Sequence, residues 1–188
     1  AQARTLDGSE QVSTFDADGR VLLAQLRSPL QVPPHDNSAM DGYALRSADV
    51  LAAGTLLPVS QRIAAGQMGR ALAPATAARI FTGAPLPEGA DAVVMQEDCE
   101  LQDDGSVRVN AQPRAGQWVR RAGDDIVRGA VVLEAGTRLT PAELGLAASI
   151  GLAQLEVARR PRVALFSTGD ELVMPGSVRP EDMPPGAI

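Results

Sequence analysis

The segment PPHDNSAMDGYAL, residues 33–45, decides how the rest of the chain is read. Pro33 and Pro34 stiffen its entry, because the proline ring fixes φ. Asp36, Asn37, Ser38, Asp41 and Tyr43 then follow almost without spacing, around Met40 and Gly42. A solvated loop has little use for Met40 or Tyr43, and a core strand would not carry two aspartates and an asparagine. The segment reads as a rigid, partly apolar ledge with short polar groups. Met40 and Tyr43 are its anchors, and Asn37, Ser38 and Asp41 are its short polar groups. The plainer reading of Asp41-Gly42 is a hairpin turn.

The flanking sequence divides at similar punctuation. Ahead of the ledge, AQARTLDGSEQ (1–11) resembles the frayed end of a helix. GRVLLAQLRSPL (19–30) reads as a strand or short helix with Val21, Leu23 and Leu26 inward, stopped at Ser28-Pro29. Behind the ledge, TLLPVSQRIAAG is broken by Pro58 and reads as an edge strand at best. PATAARIFTGA, with Pro74 at a first helical position, reads as a short helix that delivers Thr82 and Gly83 to a turn. ADAVVMQED reads as a buried strand, and Asp104-Gly105 between apolar runs signals a tight hairpin. RGAVVLEAGTRL reads as two short strands around Ala135-Gly136. In TPAELGLAASIG, Thr140, Pro141 and Glu143 make a capping box with proline at the first helical position, and Gly151 closes the helix. Leu144, Ala147 and Ala148 are its apolar stripe. AQLEVA alternates, with Ala153, Leu155 and Val157 on one face. Val163–Phe166 is a continuous apolar run, the pattern of a strand buried on both faces of a parallel sheet.

Composition narrows the chemistry. The 188 residues carry a net charge of −6 with only 3% aromatics, so the core is mostly Ala, Val and Leu. An acidic chain lacks the basic face that a nucleic-acid partner requires. Local arginines, Arg120-Arg121 and Arg159-Arg160, still offer places for an anion, although a solvated linker explains the second pair more simply. One cysteine and one histidine exclude an internal disulfide and argue against a soft zinc site. Cys99 reads as a small residue near a strand end and His35 as a loop residue. No apolar run approaches a membrane span, and no basic, then apolar leader opens the sequence, so a cytoplasmic location is expected.

Four clusters remain as candidate chemistry: the ledge, FTGAPLPEGAD (81–91), STGDEL (167–172) and VRRAGDDI (119–126). Each taken alone is ordinary turn chemistry, and Arg120 could pair with Asp124 at the surface. Jointly they supply hard oxygen groups, Ser38, Asp41, Thr82, Asp125 and Glu171, and no soft ones. Such a set suits Mg²⁺ bridging phosphate oxygens, or recognition of an oxyanion.

PPHDNSAMDGYA, FTGAPLPEGADAVVMQE, VRRAGDDIVRGAVVLEAGTRLTPAELGLAASIG and RRPRVALFSTGDELVMPG resemble the MoeA/gephyrin family, in the same order. The resemblance covers nearly all of the chain from about Gly19 and implies its N-terminal part only. It implies an α+β, β-rich fold. A discontinuous first domain (1–34 and 124–160) would carry an inserted β-rich lid domain (35–123), followed by the first strand of a truncated α/β domain (161–188). It implies the insertion of molybdate into adenylylated molybdopterin with a divalent cation, expected to be Mg²⁺, in a homodimer whose lid covers the partner's cleft. It implies Asp41, Thr82, Asp125 and Glu171 as catalytic residues and Asn37, Ser38 and Arg120 as substrate-binding residues, with no metal ligand assigned. Asp124 departs from the glutamate more usual in the family. A fragment of this extent is expected to be inactive alone. The alternative is a non-catalytic binding or scaffold module on the same fold, as in the gephyrin branch.

Overall fold

The chain leaves and re-enters one small unit at a single place. Val32 N–H donates to Ile126 O at 2.8 Å, Asp125 N–H to Val32 O at 2.9 Å, and Gly123 N–H to Pro33 O at 3.0 Å. The structure, a computed structural model, describes residues 8–169, 172–174 and 176–183. In chain order the strands are β1 (Ser9–Ser13), β2 (Leu26–Arg27), β3 (Asn37–Ser38), β4 (Gly42–Leu45), β5 (Thr55–Ile63) and β6 (Ala77–Ile80). They continue with β7 (Ala92–Met95), β8 (Cys99–Leu101), β9 (Ser106–Val109), β10 (Val119–Arg120), β11 (Val131–Leu133) and β12 (Gln154–Ala158); helix α1 is Pro141–Ser149.

Residues on both sides of the junction share one core. β1 pairs antiparallel with β12, and β2 with β11. Ala17, Leu22, Leu139, Ala147, Leu155 and Val157 are buried together, with Val12, Leu26, Leu133, Leu144 and Leu152 packed against them. Each fully buried aliphatic side chain stabilises this core by about 1.5–3 kcal/mol. The Thr14 hydroxyl, also buried, donates to Leu152 O at 2.6 Å. Buried Arg20 pairs with Glu10 and donates to Ala158 O at 2.7 Å, tying the first strand to the last. The Arg20 hydrogen bond holds the Glu10 carboxyl below its ordinary range. α1 starts as its capping residues dictate: Glu143 accepts from the Thr140 N–H at 2.9 Å. It closes at Gly151, whose φ of +82° favours glycine.

Between the crossings lies a six-stranded sheet in the order β7-β4-β6-β5-β9-β8, in which only β5 and β6 are parallel. Alternation along its strands builds two cores. Tyr43, Leu45, Leu57, Val94, Val107 and Val109 lie in one, and Ala44, Ile63, Ala78, Ile80 and Val93 in the other. The hairpin β8–β9 turns at Asp104-Gly105 as expected, with Gln102 N–H donating to Ser106 O at 2.8 Å.

Several expectations are corrected. Ser9–Ser13 is a strand rather than a helix end; residues 1–7 lie outside the described residues. Leu22 is buried, while Val21 and Leu23 are 37% and 44% exposed, so these two face outward and Leu26 packs against the core as read. The second strand expected after Ala135-Gly136 is reduced to a single bridge, Arg138 to Val21. β5 is an interior strand despite Pro58. Its first half pairs with β9 and its second half with β6, so Pro58, which has no N–H, stands where the ladder changes partner. Ala77–Ile80, within the expected helix, is strand β6 and not helical. Ala77, Ala78 and Ile80 fill the narrow space between β4 and β5, and packing on two faces overrides the helix propensity of alanine. Val163, Leu165 and Phe166 are 73%, 93% and 87% exposed, in a described stretch that forms no strand. A run of that kind is buried only between neighbouring strands, and none pairs with it among the described residues.

Candidate functional site

The ledge is built by a three-way backbone junction. β3 pairs with β10, setting Asn37 opposite Arg120 and Ser38 opposite Val119. On its other flank Ser38 N–H donates to Ala84 O at 2.9 Å, Gly83 N–H donates to Ser38 O at 2.9 Å, and Asn37 bridges Pro85. Three stretches far apart in sequence, around residues 37, 83 and 120, therefore run side by side.

Ser38 is part of this frame rather than of a cleft. It is 1% exposed, its hydroxyl donates to Met40 O at 2.5 Å, and it accepts from Met40 N–H at 3.3 Å. That closed loop ends β3 and aims the chain at Asp41. Asn37 is partly buried and Tyr43 is a core residue. Asp41-Gly42 is not a hairpin turn, because Gly42 opens the interior strand β4 between Ile80 and Met95. A Cβ at Gly42 would lie 1.9 Å from Val94 O, so only glycine allows the close approach of β7.

Asp41 and Thr82 meet at the end of β4. One carboxylate oxygen, Oδ1, accepts from the Thr82 N–H at 2.8 Å and from the Thr82 hydroxyl at 2.7 Å. The backbone N–H, the hydroxyl and then the positive charge of Arg79 hold the Asp41 carboxyl below its ordinary value of 3.8. Hydrogen bonds to the ionised form favour it. Asp41 Oδ2 makes no hydrogen bond among the described residues, which leaves it turned to other chemistry.

Arg120 and Asp125 form the other pair. Arg120 donates to both Asp125 oxygens, at 2.6 and 2.7 Å, with both side chains about half exposed. Asp124 is not the partner of Arg120; it accepts from the Arg121 N–H at 2.8 Å. Asp36 anchors the same loop by accepting from Arg121 at 2.6 Å and from the Ala122 N–H at 2.9 Å. The Ala122 N–H foremost, and Arg121 after it, lower the Asp36 carboxyl. The structure thus joins Asp41 to Thr82 and Arg120 to Asp125, on opposite flanks of β3. Glu171 lies outside the described residues.

Arg79 was not singled out in the sequence, yet it stands beside Asp41. It donates to Gly42 O at 2.8 Å and to Gln96 Oε1 at 2.6 Å, and lies 5.3 Å from the Tyr43 ring centre and 4.5 Å from that of Phe81. Its signal was an arginine two residues before the candidate motif, visible only once residues 77–80 are read as a strand. Cys99 opens β8, and burial pushes its thiol up to about 11, which does not suit a nucleophile.

A family model described as the MoeA N-terminal region (domain I and II) matches residues 1–151. The molybdopterin molybdenumtransferase of Haemophilus influenzae is 42% identical over 168 residues, which cover 89% of this chain and 42% of that protein. Molybdopterin molybdenumtransferase 2 of Mycobacterium tuberculosis is 46% identical over 171 residues, covering 88% and 42%. The crystal structure of the molybdopterin biosynthesis MoeA protein from Pyrococcus horikoshii OT3 matches with a TM-score of 0.85 at 31% identity, over 96% of this chain and 48% of that one. The chain spans less than half the length of these relatives.

Proposed function

The chain belongs to the MoeA family, and on that premise we propose that it supplies the lid side of the site at which a molybdopterin molybdenumtransferase inserts molybdate into adenylylated molybdopterin. The observation that carries the reading is the Asp41–Thr82 pair, in which an ionised carboxylate is held on one oxygen by a backbone N–H and a hydroxyl. A charge fixed in this way acts on a reacting group without reorganising, which is how positioned groups lower a barrier. Asp41 offers its second oxygen to a proton or a donor on the substrate. Arg120, oriented by Asp125, presents its remaining donors to an anionic group, and Asn37 stands opposite it on β3. Ser38 contributes by shaping the ledge.

The same proposal divides the chain at residues 34, 123 and 160 and counts Glu171 among the catalytic residues. It includes a homodimer, a cytoplasmic location and no nucleic-acid partner, the last in keeping with the net charge of −6. No helix among the described residues is long and apolar enough to cross a membrane. Among the described site residues Asp41, with its second oxygen unengaged, is the carboxylate that would meet a Mg²⁺ shared with substrate phosphates. Among the described residues no three carboxylate, imidazole or thiolate groups converge, and both oxygens of Asp125 face Arg120.

The test compares molybdate-dependent cofactor formation by the purified chain and by the chain joined to the remaining length of a relative. The joined protein is expected to turn over and the chain alone to show none, because orientation is lost when half a cleft is missing. Multiple turnover by the chain alone would refute the half-site reading. A folded joined protein without turnover would refute the function.

A further inference from the structure

The face of the sheet that carries Tyr43 continues past its apolar core into a pair of neighbouring arginines. Arg62 on β5 and Arg79 on β6 are register partners on parallel strands. Their guanidinium carbons lie 4.4 and 4.5 Å from the centre of one ring, that of Phe81. Arg79 is partly satisfied, donating to Gly42 O, Ile80 O and Gln96 Oε1. Arg62 is exposed and, among the described residues, makes no ion pair and no hydrogen bond. Like charges on neighbouring positions of a sheet repel, and among the described residues no carboxylate lies within ion-pair distance of either. Phe81 supplies the attraction that holds both cations, through the negative face of its ring. Both arginines also line a concavity of about 350 Å³ whose other walls include Tyr43, Val59 and Leu101. Among the described residues the N–H groups of Arg62 meet no protein acceptor, so this exposed guanidinium is solvated and open to an arriving anion.

We propose that Arg62 and Arg79, set against Phe81, bind a doubly charged tetrahedral oxyanion of the phosphate class, with Arg62 as the contact residue. The guanidinium fork suits two oxygens of such an anion, and two cations suit its charge. Phe81 precedes Thr82 in the chain, and Arg79 already acts on Asp41. An anion seated here would relieve the repulsion between the arginines. The inference rests on the proposed function only for the source of the anion, which is a phosphate ester of the substrate or a free oxyanion. Its chemistry is independent of turnover.

The test titrates the chain with inorganic phosphate and, separately, with phenyl phosphate, following the side-chain Nε–Hε signals of the arginines by NMR. Saturable shifts of Arg62 and Arg79 are expected. Arg62→Gln should weaken binding at least about tenfold, the loss of a charge-assisted hydrogen bond, and Arg62→Lys should fall between. Arg108→Gln, which removes an arginine paired to Glu100 elsewhere on the sheet, should bind as the parent does. Tighter phenyl phosphate points to an ester whose apolar part meets Tyr43 and Leu101, and equal affinities point to a free oxyanion. The absence of saturable shifts, an unchanged affinity in a folded Arg62→Gln, or equal weakening by Arg108→Gln would each overturn the proposal. Because no turnover is read, each of those results leaves the transferase proposal standing, and a failure of the joined protein to turn over leaves this one standing.

Discussion

Asp41 and Asp125 are the same residue type on opposite flanks of β3, and the fold uses them differently. Asp41 is held by a neutral partner, Thr82, on one oxygen only, so its charge stays available. Asp125 gives both oxygens to Arg120, so its charge is largely spent on aiming a guanidinium. A carboxylate that must act is fixed by dipoles, and one that must orient is fixed by an opposite charge. The two flanks also differ in rigidity. The Asp41 side rests on an interior strand and a glycine that no other residue can replace. The Asp125 side rests on half-exposed ion pairs, which stabilise little.

The sharpest way to break this asymmetry is Gly42→Ala. Its Cβ meets a backbone carbonyl rather than a movable side chain, so a destabilisation of roughly 3 kcal/mol is expected, read as a lower urea midpoint. An unchanged midpoint would mean that β4 and β7 can separate and that the Asp41 side is not rigid. Thr82→Val removes the hydroxyl but keeps the N–H. The Asp41 carboxyl should then titrate at higher pH, followed by carbon-detected NMR, and an unchanged titration would mean that the hydroxyl does not hold it. Arg120→Met should change stability by no more than about 1 kcal/mol, because the pair is half exposed. A larger loss would make the Asp125 flank structural.

Acid gives a smaller, graded comparison. Glu10, Asp36, Asp41, Asp104 and Glu143 are all held below ordinary values of 3.8 or 4.5. A carboxyl whose pKa is lower in the folded than in the unfolded chain stabilises above its unfolded value. That contribution fades as pH falls through the folded value. The urea midpoint should therefore be level between neutral pH and the ordinary carboxylate range and decline below it. In Asp41→Asn the decline should be shallower, and a midpoint that rises on acidification would contradict the assignment.

What was legible in the sequence had local causes. Thr140, Pro141, Glu143 and Gly151 fix α1 by contacts within four residues or by a single φ, and Asp104-Gly105 fixes its hairpin in the same way. β6 was not legible, because Ala77 and Ala78 favour a helix until β4 and β5 close on them. Pro58 misled because a change of partner strand leaves no trace in the sequence, and Val163–Phe166 because an apolar run does not say whether a neighbour is present. At the site, the motifs named Asp41, Thr82, Arg120 and Asp125, but not which pairs they form. Ser38 looked like a cleft residue because its hydroxyl could serve either ligand or backbone, and the Met40 carbonyl takes it. Arg79 was hidden by the misreading of β6.

The central claim is that Asp41 is a positioned charge and not a turn residue. Asp41→Asn keeps the shape and removes the charge, so the direct measurement compares wild type and Asp41→Asn, each joined to the remaining length of a relative, for thermal midpoint and for rate of molybdate-dependent cofactor formation. The account predicts midpoints within a few degrees and a rate lower by about 10²-fold, the usual size for a positioned group at a reacting centre. Equal rates at equal stability would contradict it.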